Sequence, residues 1–166
     1  MIEGVPNPDG PQIAERMRRR AQRMRRLNVF MRRVLNLPFR VPGIGDNLML
    51  LFFRGRKTGL AYRQPVSFVA QGDVLLTPGG GRWKNNLNEG EAIVARIKGR
   101  KRRIAPEFVR SPEEVEGLLG IMFKRNPRLA SFVPFIDRSG KVDQDGLERA
   151  IANGFCIVRW RYADTG

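Results

Sequence analysis

The hydrophobic period of this chain changes near residue 48, and that change limits the folds open to it. From Pro11 to Leu37 the apolar residues Met17, Ala21, Met24, Leu27, Met31, Val34 and Leu35 recur at helical spacing along one stripe. From Leu48 to Val109 the period is mainly that of strands. Leu48 to Arg54, Gln64 to Ala70 and Val74 to Thr77 are short runs rich in apolar and β-branched residues, with Gln71-Gly72-Asp73 as a turn before the last. Ala92 to Lys98 and Lys101 to Val109 flank Gly99-Arg100. Ile93, Ala95 and Ile97 alternate there with Arg96 and Lys98, as expected of a hairpin wetted on one side.

Helical signals frame these strands. Arg82 to Leu87 reads as a short helix after the glycine-rich break Pro78 to Gly81. Ser111-Pro112-Glu113-Glu114 has the form of a helix start: a capping serine, proline in the first turn and acids at the positive end of the dipole. That helix is expected to run to Lys124. A polar loop, Asp137 to Asp145, a helix over Gly146 to Ala152 and a last strand, Phe155 to Tyr162, complete the chain. Pro38, Pro42, Gly43 and Gly45 end the first helix, so the expected division is a basic amphipathic helix (1–37) followed by one β domain (38–166). The fold class expected is mainly β with flanking helices, α+β, in a small barrel.

The same residues restrict the chemistry. The 166-residue chain contains no histidine and one cysteine. Serine–histidine and cysteine–histidine nucleophiles, internal disulfides and cysteine zinc sites are thereby excluded, and no metal is expected. Cys156 lies in the apolar run Phe155 to Val158, which suggests a buried thiol. An enzyme of this composition would use carboxylates, lysine, tyrosine or water, or the reactivity of a bound cofactor. Met1 to Pro11 lacks the apolar core of a secretory signal, and no run approaches the roughly 18 uncharged residues of a spanning helix. A cytoplasmic location is the expectation.

A formal charge of +15 implies an anionic partner. Arg16, Arg18, Arg19, Arg20, Arg23, Arg25, Arg26, Arg32 and Arg33 flank the apolar stripe of residues 11–37. That pattern suits a helix on the anionic inner face of a membrane, and equally a helix whose apolar face packs on the domain. The hairpin segment Arg96 to Arg103 could track a phosphate backbone, but its lack of interleaved aromatics argues against nucleic acid.

The segment Gly55-Arg56-Lys57-Thr58-Gly59-Leu60-Ala61-Tyr62-Arg63-Gln64-Pro65 places cations and a hydroxyl in a glycine-bounded turn between two strands. Backbone donors and fixed positive charge in one turn suit phosphate recognition. It is not a Walker loop, because Leu51 occupies the position of the upstream glycine. On spacing alone it is equally a basic turn on a basic protein.

Gly55-Arg56-Lys57-Thr58-Gly59 with Arg63 and Pro65, then a hairpin, then Trp83-x-x-Asn86-Leu87, resembles the deazaflavin-dependent nitroreductase family of actinobacteria. The likeness spans roughly Leu48 to Val109. It implies a split β-barrel of the type that binds FMN or coenzyme F420, with coenzyme F420 as cofactor and FMN, or no cofactor, as the alternatives. By that resemblance Lys57 and Arg63 contact the cofactor phosphate beside Arg56 and Thr58, and Pro65 and Ser67 line the strand under the ring. Thr77 and Gly79 approach the ring through backbone groups, Trp83 walls the pocket and Asn86 braces the short helix. The implied activity is hydride transfer between the deazaflavin and an electron-poor, apolar small-molecule substrate such as a quinone-like or nitro compound.

The sequence departs from the family at two places. Pro78 to Arg82 is shorter and lacks the family's lysine, leaving Arg82 as the nearby cation. The region from Asn126 to Phe135 has no tyrosine and offers Phe132, Val133 and Phe135 as an apolar cover. The alternative on the same fold is a membrane-associated lipid or fatty-acid binding protein without redox activity.

Overall fold

The computed structural model describes residues 47–131 and 133–163, together with Arg19, Gln22 and Arg25, which are helical and exposed. The helix expected over 11–37 otherwise lies outside the described residues, as does Phe132. Seven strands form the body of the domain: β1 (Leu48–Arg54), β2 (Ala61–Ser67), β3 (Val69–Gln71), β4 (Val74–Pro78), β5 (Ile93–Ile97), β6 (Arg100–Val109) and β7 (Ile157–Tyr162). They make one antiparallel sheet in the order β2-β1-β5-β6-β7-β4-β3.

β2 and β3 occupy opposite edges of this sheet, yet Phe68 alone separates them in the chain. One residue spans at most about 3.6 Å. The sheet therefore curls until its edges meet at Phe68, whose N–H donates to the Asn47 carbonyl (2.9 Å) and whose ring is buried. The single strand expected over Gln64 to Ala70 is thus two strands joined at a corner. Alternation survives the corner, so the periodicity gave no sign of it.

Curling sorts the strand residues into an inside and an outside. Met49, Leu51, Val66, Leu75, Ala95, Ile97, Ile104, Val158 and Trp160 fill the interior. The β5–β6 turn is Lys98-Gly99, one residue earlier than expected, because Ile97 pairs with Arg100. Both turn residues have positive φ, 49° and 79°, the geometry whose twist matches that of the flanking strands.

Helices cover the outer face of β4, β6 and β7. Helix α1 (Pro112–Arg125) starts where the capping signal places it. Glu113 and Glu114 occupy its first turn, and the Ser111 hydroxyl makes no capping bond. Helix α2 (Gln144–Ala152) starts two residues before the expected Gly146. Leu119, Met122 and Leu147 pack with Leu76, Val109 and Ile157 to form a second core. Arg159 of β7 ties sheet to helix through Glu107 (2.6 Å) and Glu114 (2.7 Å). Hydrogen bonding to Glu114 is the largest cause of its raised pKa. Val133 and Phe135 also belong to this outer core, with Phe135 edge-on to Phe155 at 5.0 Å. They do not form the apolar cover expected over a substrate, because the helices, not the barrel end, claim their side chains.

Candidate anion-binding cleft

The strand registers bring Arg54, Pro78, Val109 and Ile157 to one end of the curled sheet. The Gly55 to Leu60 turn closes there through Gly55 N–H to Leu60 O (2.9 Å) and Gly59 N–H to Gly55 O (2.8 Å). Gly59 has φ 67°, which disfavours other residues at that position. A 3-10 segment, Arg82–Asn86, lies beside this turn.

Asn86 joins the two. Its Oδ1 accepts from the Arg56 backbone N–H (3.0 Å) and its Nδ2 donates to the Trp83 carbonyl (3.2 Å). The Arg56 guanidinium donates to the Leu87 carbonyl (3.3 Å) and to Asn88 Oδ1. A cleft of about 450 Å³ opens alongside, lined by Arg56, Lys84 and Arg110 as well as Leu87, Glu89 and Phe108. Lys84 is braced on Gly81 O (2.9 Å), and the Arg110 guanidinium lies 5.0 Å from the Phe108 ring centre. Glu89 accepts from the Phe108 N–H (2.9 Å), so its carboxylate is engaged in holding the loop to β6. Three cations thus face one committed carboxylate above an aromatic wall.

The other expected site residues separate into groups. Trp83 is half-buried and stacks on Trp160 with centroids 6.3 Å apart and planes at 14°. Thr77 is buried, and its hydroxyl accepts from Trp160 Nε1 (3.1 Å). The Gly79 N–H donates to Cys156 O (2.8 Å), so that group is already used in the sheet. Arg82 and Lys57 are exposed, and Thr58 is engaged within its own turn by Leu60 N–H (3.3 Å) and Tyr62 Oη (3.4 Å). Arg63, Pro65 and Ser67 lie on the outer face of β2, opposite Phe52, Leu50 and Leu48, with the Arg63 guanidinium 5.9 Å from the Phe52 ring centre. Of the expected site residues only Arg56 lines the cleft, with Lys84 and Asn85 from the Arg82–Asn86 segment beside it, while the odd-numbered β2 residues stand on the outer wall.

Lys84, Phe108 and Arg110 were not singled out by the sequence. Lys84 sits inside the Trp83-x-x-Asn86 motif and carried a local signal, whereas Phe108 and Arg110 reach the cleft only because β6 ends there.

Cys156 is 1% exposed behind the cleft, and burial pushes its thiol pKa up, with Lys84 and Arg110 opposing the shift. The folded chain keeps the proton where the unfolded thiol loses it. The stability this adds is full below the ordinary thiol range and is lost as pH rises through that range toward the raised value. Iodoacetamide at about pH 8.5, near the free thiol pKa, is expected to label Cys156 in urea and to leave the native chain largely unmodified. Equal labelling rates in the two states would contradict the buried placement.

A curled antiparallel sheet, two helices on its outer face and a cationic cleft at one end define a β-rich α+β domain. No protein-family model matches the chain, and no curated protein matches it. Among the described residues no helix is long and apolar enough to cross a membrane, and no three His, Cys, Asp or Glu residues are grouped to hold a metal.

Proposed function

We propose that the cleft holds coenzyme F420 in a split β-barrel and that the protein is a deazaflavin-dependent oxidoreductase. The observation that carries this reading is the Arg56–Asn86 hydrogen bond, which draws the Gly-Arg-Lys turn and the Trp motif to one rim. These are the two motifs on which the family resemblance rests. The residues present suit the group: Arg56, Lys84 and Arg110 match an anionic phosphorylated tail, and Phe108 and Leu87 offer apolar surface to a flat ring. When bound, the reduced deazaflavin supplies a hydride to an electron-poor organic acceptor.

The chain's own residues bind, orient and exclude water. Arg56 and Lys84 fix the anionic portion. The Trp83–Trp160 stack, locked by the Thr77 hydroxyl, gives the rim a rigid backing. No side chain forms a covalent intermediate in this reading. The substrate class is an apolar, electron-poor small molecule such as a quinone-like or nitro compound. The location that goes with this reading is cytoplasmic, with residues 11–37 on the inner face of the membrane.

One observation favours a second reading. Of the backbone groups expected near the ring, the Gly79 N–H is occupied by the Cys156 carbonyl and Thr77 is paired with Val158 in the sheet. A cleft without those groups would take an amphipathic anion such as a fatty acid, its carboxylate on Lys84 and Arg110, with no redox step. Titration of purified protein with coenzyme F420, followed by fluorescence, is expected to show saturable micromolar binding. Absence of binding, with a fluorescent fatty acid bound and displaced by oleate, would replace the first reading with the second.

A further inference from the structure

The end of the sheet opposite the cleft carries the densest charge in the described chain. Arg96, Lys98, Arg100, Lys101, Arg102 and Arg103 fall within eight residues that contain no acid. The registers place them there: Ile97 pairs with Met49 near the start of β1, while the cleft lies beyond its last residue, Arg54. Arg100, Lys101 and Arg102 are exposed and Lys98 stands at the tip of the turn, and among the described residues none forms an ion pair with these four. Tyr162, 41% exposed, lies opposite Ile104, four residues along β6 from Arg100, with the carboxylate Asp73 in the β3–β4 turn next to β7.

We propose that this hairpin end docks on a lipid bilayer carrying anionic headgroups, independently of what the cleft binds. Crowding so many like charges against one another is unfavourable, and a neighbouring anionic surface relieves that repulsion. The shape of the patch selects a plane over a groove. β5 is paired with β1 up to Ile97, whereas β6 is paired with β7 only from Ile104 onward, so the cations from Lys98 to Arg103 line a ribbon edge that is open on its β7 side.

Alternation along β6 adds to this. It sends Arg100 and Arg102 to one face of the ribbon and Lys101 to the other, which makes a cationic edge and not a one-sided stripe. An edge of that kind meets a flat charged surface with all its cations at once. With the hairpin down, the cleft lies at the far end of β6.

The test is flotation of the full chain with vesicles of phosphatidylcholine alone and of phosphatidylcholine and phosphatidylglycerol in equal parts. Binding is expected to the mixed vesicles only, and to fall as salt shortens the Debye length below about 8 Å. Lys98→Gln, Arg100→Gln, Lys101→Gln and Arg102→Gln together are expected to weaken partitioning more than about tenfold, since each cation near such a surface adds its own attraction. The melting temperature should be kept. Arg100→Lys with Arg102→Lys keeps the charge and is expected to keep the binding. If the fourfold variant does not fold, Lys98→Gln with Arg100→Gln serves in its place with a smaller loss.

Unchanged partitioning of a folded glutamine variant overturns the proposal. So does a lysine variant that fails as badly as the glutamine one. Vesicle binding that survives while affinity for a mixed-sequence oligonucleotide collapses would assign the patch to nucleic acid instead.

Discussion

Trp160→Ala is expected to lower the unfolding free energy by about 4 kcal/mol, the scale of removing a fully buried tryptophan. Trp160 is 0% exposed at the centre of the barrel interior. Its removal empties a large volume, takes away the ring on which Trp83 stacks and leaves the buried Thr77 hydroxyl without its donor. Native domains are stable by only about 5–15 kcal/mol, so the urea midpoint should drop by a large fraction of its value. Trp160→Phe keeps most of the packing and loses the N–H, and about 1 kcal/mol is expected for that bond. Urea unfolding followed by circular dichroism separates the two. A cost for Trp160→Ala no larger than for Trp160→Phe would show that the interior is not organised around this ring.

The second large effect is on the cleft. Lys84→Gln with Arg110→Gln is expected to weaken binding of the proposed anionic cofactor about 100-fold, taking hydrogen bonds to charged groups at about 1.5–3 kcal/mol each. Neither side chain holds the fold together: Lys84 is braced on one carbonyl, and Arg110 lies over an aromatic ring at the surface. The melting temperature should therefore be nearly unchanged. Arg56→Gln is a less clean test because its guanidinium also secures Leu87 and Asn88. Isothermal titration of the double variant decides the matter. Full affinity would remove Lys84 and Arg110 from the site and return the search to the outer wall that carries Arg63.

Much of the local structure was legible in the residues. The alternation around Gly99 gave the β5–β6 hairpin, and Ser111-Pro112-Glu113 gave the start of α1, because both signals act over a few residues of adjacent chain. The burial of Cys156 was legible for the same reason, from its apolar neighbours. The corner at Phe68 was not, since a strand that changes sheet edges keeps its alternation. The inward or outward direction of Arg63, Pro65 and Ser67 was equally hidden. Alternation separates odd from even positions, and only pairing with β1 decides which set faces the interior.

The change to a strand period near residue 48 and the absence of histidine were fixed by the sequence alone, because they are read directly along the chain. The tertiary structure decided that Phe68 folds the sheet on itself and that Asn86 meets Arg56. It also decided that Lys84 and Arg110 share a cleft at one end while the Lys98 to Arg102 cations crowd the other. Those juxtapositions depend on which strands pair across the sheet, and long-range pairing is settled by closing the curled sheet around Trp160.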